Sequence, residues 1–310
     1  MQIHLDTDLG GDTDDTCALA MLLGWPDVDV VGITTTIDPG GRRAGYVRHC
    51  LDLAGRSDIP VVAGAEVSLS TLRTADPIID DDRYWPTGIA AYPAPPGAAL
   101  DLLAADIDAG ATVVAIGPYT NLALLEVARP GSLARNRVVA MGGWIRPPAD
   151  GLPAWGPDMD WNVQWDTRAA QIVAATASLT LATLPATMHG QVRAADLPRL
   201  RACGPLGELV ARQCAAHGAD YAMGDMGKAH TGLADDLLNF QYDPVACAVA
   251  LGWPGAVLDD MHLRTIVDNG QLRFEQDPGG RPTRVLVDVD GAALNEVWLT
   301  AVERAARRGA

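Results

Sequence analysis

The sequence predicts an α/β fold: a single domain built on a mostly parallel, Rossmann-like sheet, with helices on both faces and a small antiparallel strand extension at the C-terminus. Three observations carry that prediction. Short apolar runs alternate with helix-period segments along the chain, which is the pattern of parallel strands joined by crossover helices. The strand-like runs are near-continuously apolar, as strands buried on both faces are. The chain has 310 residues, 48% hydrophobic and 20% charged, so it has apolar surface enough for a large core. No linker, repeat or low-complexity tract divides it, and residues 1–310 read as one domain.

The elements follow in order. Ile3-His4-Leu5 reads as a first strand ending in acids. Residues 14–25 read as a helix, with Ala18, Leu19, Leu22 and Leu23 on one side. Residues 28–36 are β-branched and strand-like, 42–55 helical, and 61–63 a third strand. Residues 100–109 read as helix, 112–116 as strand, 121–128 as helix and 138–141 as strand, ending at Gly142-Gly143. Residues 167–177 are helical and 179–184 strand-like. From 265 to 290 the chain reads as two or three strands with a turn at Asn269-Gly270, and a last helix covers 292–307. Two segments break the rhythm: 65–97, rich in Pro, Asp and Gly, and 215–242, expected to be irregular.

Charge excludes some functions. Lys+Arg is 23 against Asp+Glu 39, a net charge of -16, with no basic footprint for nucleic acid or for an anionic membrane. The five cysteines (17, 50, 203, 214, 247) are odd in number, widely spaced and free of any C-x-x-C, which fits buried thiols in a reducing cytosol. The chain starts without a basic, apolar leader pattern, and no apolar run reaches the roughly 18 residues of a membrane span, so a cytoplasmic location is expected.

The most informative stretch is Asp6-Thr7-Asp8-Leu9-Gly10-Gly11-Asp12-Thr13-Asp14-Asp15, five carboxylates in ten residues. It lies between a strand and a helix, where parallel sheets place their ligands. One or two acids there would read as helix caps. Five would repel unless a cation neutralised them, and carboxylates suit a hard ion such as Ca²⁺ or Mg²⁺. A D-x-D-x-G turn after strand one admits two enzyme classes. One is phosphatases of the haloacid-dehalogenase type; the other is calcium-dependent nucleoside hydrolases.

The stretch from Asp6 to Leu23 resembles the second class closely, and the resemblance to the inosine-uridine preferring nucleoside hydrolase family extends over nearly the whole chain. Residues 31–36 (VGITTT), 60–64 (PVVAG) and 117–122 (GPYTNL) match family segments in order, as do Met141-Gly142-Gly143, Asp160-Trp161-Asn162 with Asp166 and Ala169-Ala170, and Asp243-Pro244-Val245-Ala246. The resemblance implies hydrolysis of the N-glycosidic bond of a ribonucleoside, with Ca²⁺ as cofactor, a role in purine or pyrimidine salvage, and a homodimer or homotetramer. It implies that Asp8 binds calcium and takes the proton from the attacking water, and that Asp15, Asp243 and the backbone carbonyl of Ile116 complete the metal shell. It also implies that Asp14 holds the ribose 2′-hydroxyl, that Asp160 and Asn162 bind the 3′- and 5′-hydroxyls, and that Met141 lines the sugar pocket.

The chain departs from the family pattern at four places, one of them Asp38-Pro39-Gly40-Gly41 after the second strand, where an asparagine that touches the ribose is common. The first motif is two residues longer than its commonest form. Either Asp12-Thr13 is extra or Asp12 replaces the first of the aspartate pair; Asp14-Asp15, leading directly into the helix, is preferred. Asp160 stands where glutamate is usual, and Tyr242 where purine-cleaving relatives often carry a histidine acid. His230 and Tyr242 are candidate acids for the leaving base, with His217, Tyr221 and His189 behind them. The lone histidines His217 and His189 read as solvated loop residues and Trp161 as core.

Two other readings remain. One is a metal-dependent nucleoside or sugar binder without turnover. The other is the haloacid-dehalogenase-type phosphatase, which would need a late lysine on phosphate, whereas the one lysine, Lys228, lies in the irregular segment.

Overall fold

The computed structural model describes residues 1–79 and 81–308. Its strands are β1 (Gln2–Thr7), β2 (Asp29–Thr35), β3 (Val61–Ala63), β4 (Thr112–Ala115), β5 (Arg137–Met141), β6 (Ser178–Ala182), β7 (Gln191–Arg193), β8 (Leu237–Phe240), β9 (Ala256–Asp268), β10 (Gln271–Gln276) and β11 (Arg281–Val289). Nine of them form one sheet in the order β10-β9-β11-β6-β5-β4-β1-β2-β3. β3 through β6 by way of β1 pair in parallel. β1 is the topological switch point: successive connections run outward from it in both directions, and loops following β1 and β4 open between neighbouring strands.

The C-terminal strands join this same sheet. β11 runs parallel to β6 through Arg284 and Val285, while β9 is antiparallel to β11 and β10 to β9. The β9–β10 turn is Asn269-Gly270, both at positive φ (49° and 82°), as a tight two-residue hairpin requires.

The helices are α1 (Asp14–Gly24), α2 (Arg42–Leu53), α3 (Ala98–Asp108), α4 (Thr120–Ala128), α5 (Trp161–Trp165), α6 (Thr167–Thr176), α7 (Leu184–Thr187), α8 (Leu197–Arg201), α9 (Gly204–Asp220), α10 (Met223–Ala229), α11 (Tyr242–Ala250) and α12 (Gly291–Arg308). One core packs α1, α2, α9, α11 and α12 against the sheet; the other packs α3, α4 and α6. Every residue of α1 is buried. A helix that is apolar all round cannot be a surface helix, so its first-turn acids, Asp14 and Asp15, are carried into the interior.

The segment 215–242 differs from expectation. It is mostly regular: the end of α9, then α10, then β8, which pairs antiparallel with β7. Its glycines are the reason for the misreading. Gly218 lets α9 pack against Leu238 and Gly227 lets α10 pack against Ala234, contacts that a Cβ would fill. The 65–97 connection is irregular, as expected, and is tied down by Asp166, which accepts from the Leu69 and Ser70 amides at 2.7 and 3.1 Å and caps α6 through the Ala169 amide at 3.1 Å. All five cysteines are buried and free.

Candidate active site

The loops after β1 and β4 and the N-termini of α1 and α11 converge at the switch point around a cavity of about 580 Å³. That is the size of an ordinary small-molecule site, roughly 300–1,000 Å³. Asp8, Asp14, Asp15, Asp243, Asn162, Met141, Ile116 and Tyr242 all line it. Gly117 makes the convergence feasible, because a Cβ there would lie 2.7 Å from the Asp8 amide and 2.8 Å from its Oδ1. Asn121 ties the loops together, donating to Asp6 at 2.7 Å and the Thr35 carbonyl at 2.9 Å while accepting from the Ala65 amide.

Asp14, Asp15 and Asp243 each offer a carboxylate oxygen within 4.8 Å of the others. All three are buried, and among the described residues none forms an ion pair. Burial, then repulsion from neighbouring acids (Asp12 first on Asp14, Asp14 first on Asp243), pushes both well above the usual carboxylate range. Asp15 is raised by burial and by Asp8, although the Thr7 hydroxyl donates to it. Both helix N-termini favour the anions but do not cancel three charges. A hard divalent cation fits this all-oxygen donor set.

Asp8 borders the same cavity but stands outside that group of three. Burial raises its carboxyl, while Arg43 and a hydrogen bond from Trp161 work against the rise. Trp161 Nε1 donates to Asp8 Oδ2 at 3.1 Å. Buried Arg43 donates to the Asp8 carbonyl and, at 2.7 Å, to that of Ala75. The Ile116 carbonyl accepts from Asn162 Nδ2 at 2.9 Å, and the Met141 carbonyl from the same atom at 3.1 Å.

Other residues fall elsewhere than the sequence suggests. Asp160 is buried and does not line the cavity: its oxygens accept from the Gly143 and Val163 amides, capping α5. With one methylene fewer than glutamate, the carboxylate stays on the local backbone. His230 also lies off the cavity lining, held by the Met226 carbonyl at 3.0 Å. His189 faces a separate small hollow beside β11. Tyr242 opens α11, and burial, then Asp12, keeps its hydroxyl protonated.

Two expectations are overturned. Trp161 is 50% exposed rather than core, stacked on Trp165 at 4.4 Å under Arg73. His217 is 6% exposed rather than solvated and lines the cavity. The helical spacing Leu206, Val210, Cys214, His217 places it on the apolar stripe of α9, a signal available in the sequence. His217 lies 3.3 Å from Asp12. Burial alone would raise the carboxyl and lower the imidazole; their contact, with the Thr13 amide and Asn239 on Asp12 and the Leu238 carbonyl on His217, reverses both.

Comparison with known proteins shows the family and the fold. A family model described as inosine-uridine preferring nucleoside hydrolase matches residues 3–296. The pyrimidine-specific ribonucleoside hydrolase RihA of Salmonella arizonae is 34% identical over 226 residues, covering 68% of this chain and 69% of its own. RihA of Escherichia coli O7:K1 is likewise 34% identical over 226 residues, with the same coverage. Among solved structures, the fold is shared with the plant nucleoside hydrolase PpNRh1 (TM-score 0.77, 23% identity, 97% of this chain and 98% of that one). It is also shared with a purine-preferring ribonucleoside hydrolase from Gardnerella vaginalis (TM-score 0.78, 22% identity, 99% and 100%). The chain therefore belongs to the inosine-uridine preferring nucleoside hydrolase family and is a nucleoside N-ribohydrolase.

Proposed function

We propose that the protein hydrolyses a ribonucleoside to ribose and free base with calcium held by Asp14, Asp15, Asp243 and Asp8. The single observation that carries this is the meeting of three buried acids, from two helices more than 200 residues apart in sequence, within 4.8 Å at the switch point. Their uncompensated charge gives a divalent cation a large stabilising role. Bound there, the ion would lower the pKa of a water and orient it.

The chain's own residues supply the rest. Asp8, aimed by the Trp161 indole, takes the proton from the attacking water. Asp14 accepts from the ribose hydroxyls, and the amide of Asn162 holds the Ile116 and Met141 carbonyls at the sugar pocket. These acids also favour the positive charge that develops on the sugar in an oxocarbenium-like transition state. Tyr242, protonated and inside the cavity, is better placed than His230 to meet the leaving base. The five free cysteines fit a cytoplasmic enzyme; a homodimer or homotetramer of this single domain, residues 1–310, completes the reading. Lys228 is exposed and does not line the cavity, which leaves a phosphatase reading without its phosphate-binding lysine.

Incubation with a nucleoside panel, with and without a calcium chelator, tests this. Ribose release that stops on chelation and returns with calcium is expected. Turnover that survives exhaustive chelation, or calorimetric binding without ribose release, would overturn it.

A further inference from the structure

Asp12 and Thr13 lengthen the acidic stretch, and the reading above gives them no task. The structure builds a support around them. Asp12 Oδ1 accepts from the Thr13 amide and from Asn239 Nδ2 at 2.7 Å, and lies 3.3 Å from His217 Nε2. Asn239 also donates to Thr13 Oγ1 at 2.9 Å, and His217 Nδ1 lies 3.0 Å from the Leu238 carbonyl. Asn239 and His217 are 1% and 6% exposed, so a buried frame fixes an otherwise open side chain: Asp12's own is 39% exposed. Every bond to the Asp12 side chain ends on Oδ1. Among the described residues nothing bonds Oδ2, and Asp12 lines the cavity.

The surroundings indicate what that oxygen meets. Asp14, Asp15 and Asp243, the proposed calcium and ribose acids, lie at the start of α1 and α11. Asp12 lines the same cavity beside them, on the side of His217, on which Tyr221 stacks at 4.5 Å, and Trp155 meets Phe240 edge-on at 5.4 Å in the same lining. Aromatic faces and methionines there suit a planar base. A carboxylate accepts hydrogen bonds and never donates one. Held rigidly at the edge of a base, it attracts an amino group and repels a carbonyl oxygen.

We propose that Asp12 is a base-specificity residue, whose Oδ2 accepts a hydrogen bond from the exocyclic amino group of the nucleobase, so that amino-bearing bases are favoured over their oxo counterparts. This rests on the ribonucleoside reading above, with ribose on the acidic floor and base toward α9.

The test is kcat/KM for cytidine against uridine and adenosine against inosine, in the wild type, Asp12→Asn and Asp12→Ala. The wild type is expected to favour the amino member of each pair by about tenfold or more, as one such hydrogen bond allows. Asp12→Ala brings the ratios toward one, and Asp12→Asn, whose amide can donate, carries them further toward the oxo member. A wild-type ratio at or below one overturns the proposal without reference to any variant. So does an equal loss for both members of a pair, which would place Asp12 on the sugar. Cleavage without amino preference overturns this inference alone; failure to cleave all four nucleosides overturns the ribonucleoside reading as well.

Discussion

The floor and the wall of the cavity use the same residue type in opposite ways. On the floor, Asp14, Asp15 and Asp243 form no ion pair among the described residues, and burial, then repulsion from one another and from Asp8 and Asp12, holds their carboxyls up. On the wall, Asp12 sits against His217 and Asn239, and its carboxyl is held down. An acid whose charge is answered inside the protein is available to a substrate. Acids whose charge is unanswered could hold a metal ion. The contrast shows that the count of acids in a loop says little until their partners are known.

The largest effect expected is at Asp8. Asp8→Asn removes the proposed base, and kcat should drop by about 10²–10⁴-fold, the usual worth of such a proton transfer; a steady-state assay of ribose release reads it, and near-wild-type turnover would remove Asp8 from that role.

The floor can be tested by stability alone. At calcium a hundredfold above its Kd, mass action predicts about 2.7 kcal/mol of stabilisation. Asp243→Asn should lose most of that gain, yet melt above the wild type when calcium is absent, because one repelling charge is gone. Asp12→Asn should keep the calcium gain. Calcium responses that are the same in both variants would erase the distinction between floor and wall.

Asp160 sharpens the comparison from outside the cavity, since it is buried without a cation and burial raises its carboxyl to about 6 from an ordinary 3.8. The folded state thus holds that proton more tightly than the unfolded chain. Its contribution is full below about pH 3.8 and lost as pH rises through 6, worth about 3 kcal/mol. Melting of the calcium-free protein from pH 4 to 7 should show that decline, and Asp160→Asn should make it shallower; an unchanged slope would mean Asp160 is already charged at pH 4.

A smaller change is expected at Trp161, whose indole aims Asp8. Trp161→Phe keeps the stack on Trp165 but removes the donor, so kcat should fall about tenfold, the worth of one hydrogen bond to a charged group. An unchanged kcat would mean that Arg43 and the backbone suffice.

The parallel sheet was legible because strands buried on both faces must be apolar along their whole length, as residues 112–116 and 138–141 are. The acidic stretch was legible by its spacing, and the distant Asp243 only through the resemblance to the family. What the sequence could not display was direction. Asp160 and Asn162 are neighbours in one motif, yet Asp160 caps α5 away from the cavity while Asn162, within α5, lines it and reaches the Ile116 and Met141 carbonyls. Asp12, Asn239 and His217 come from three separate elements, and only the packing of α9 and β8 against the first loop makes them a unit. Local patterning along the chain set the elements and their order. Which acids share a charge and which meet a partner depended on contacts between residues some 200 apart, and those exist only once the core has closed.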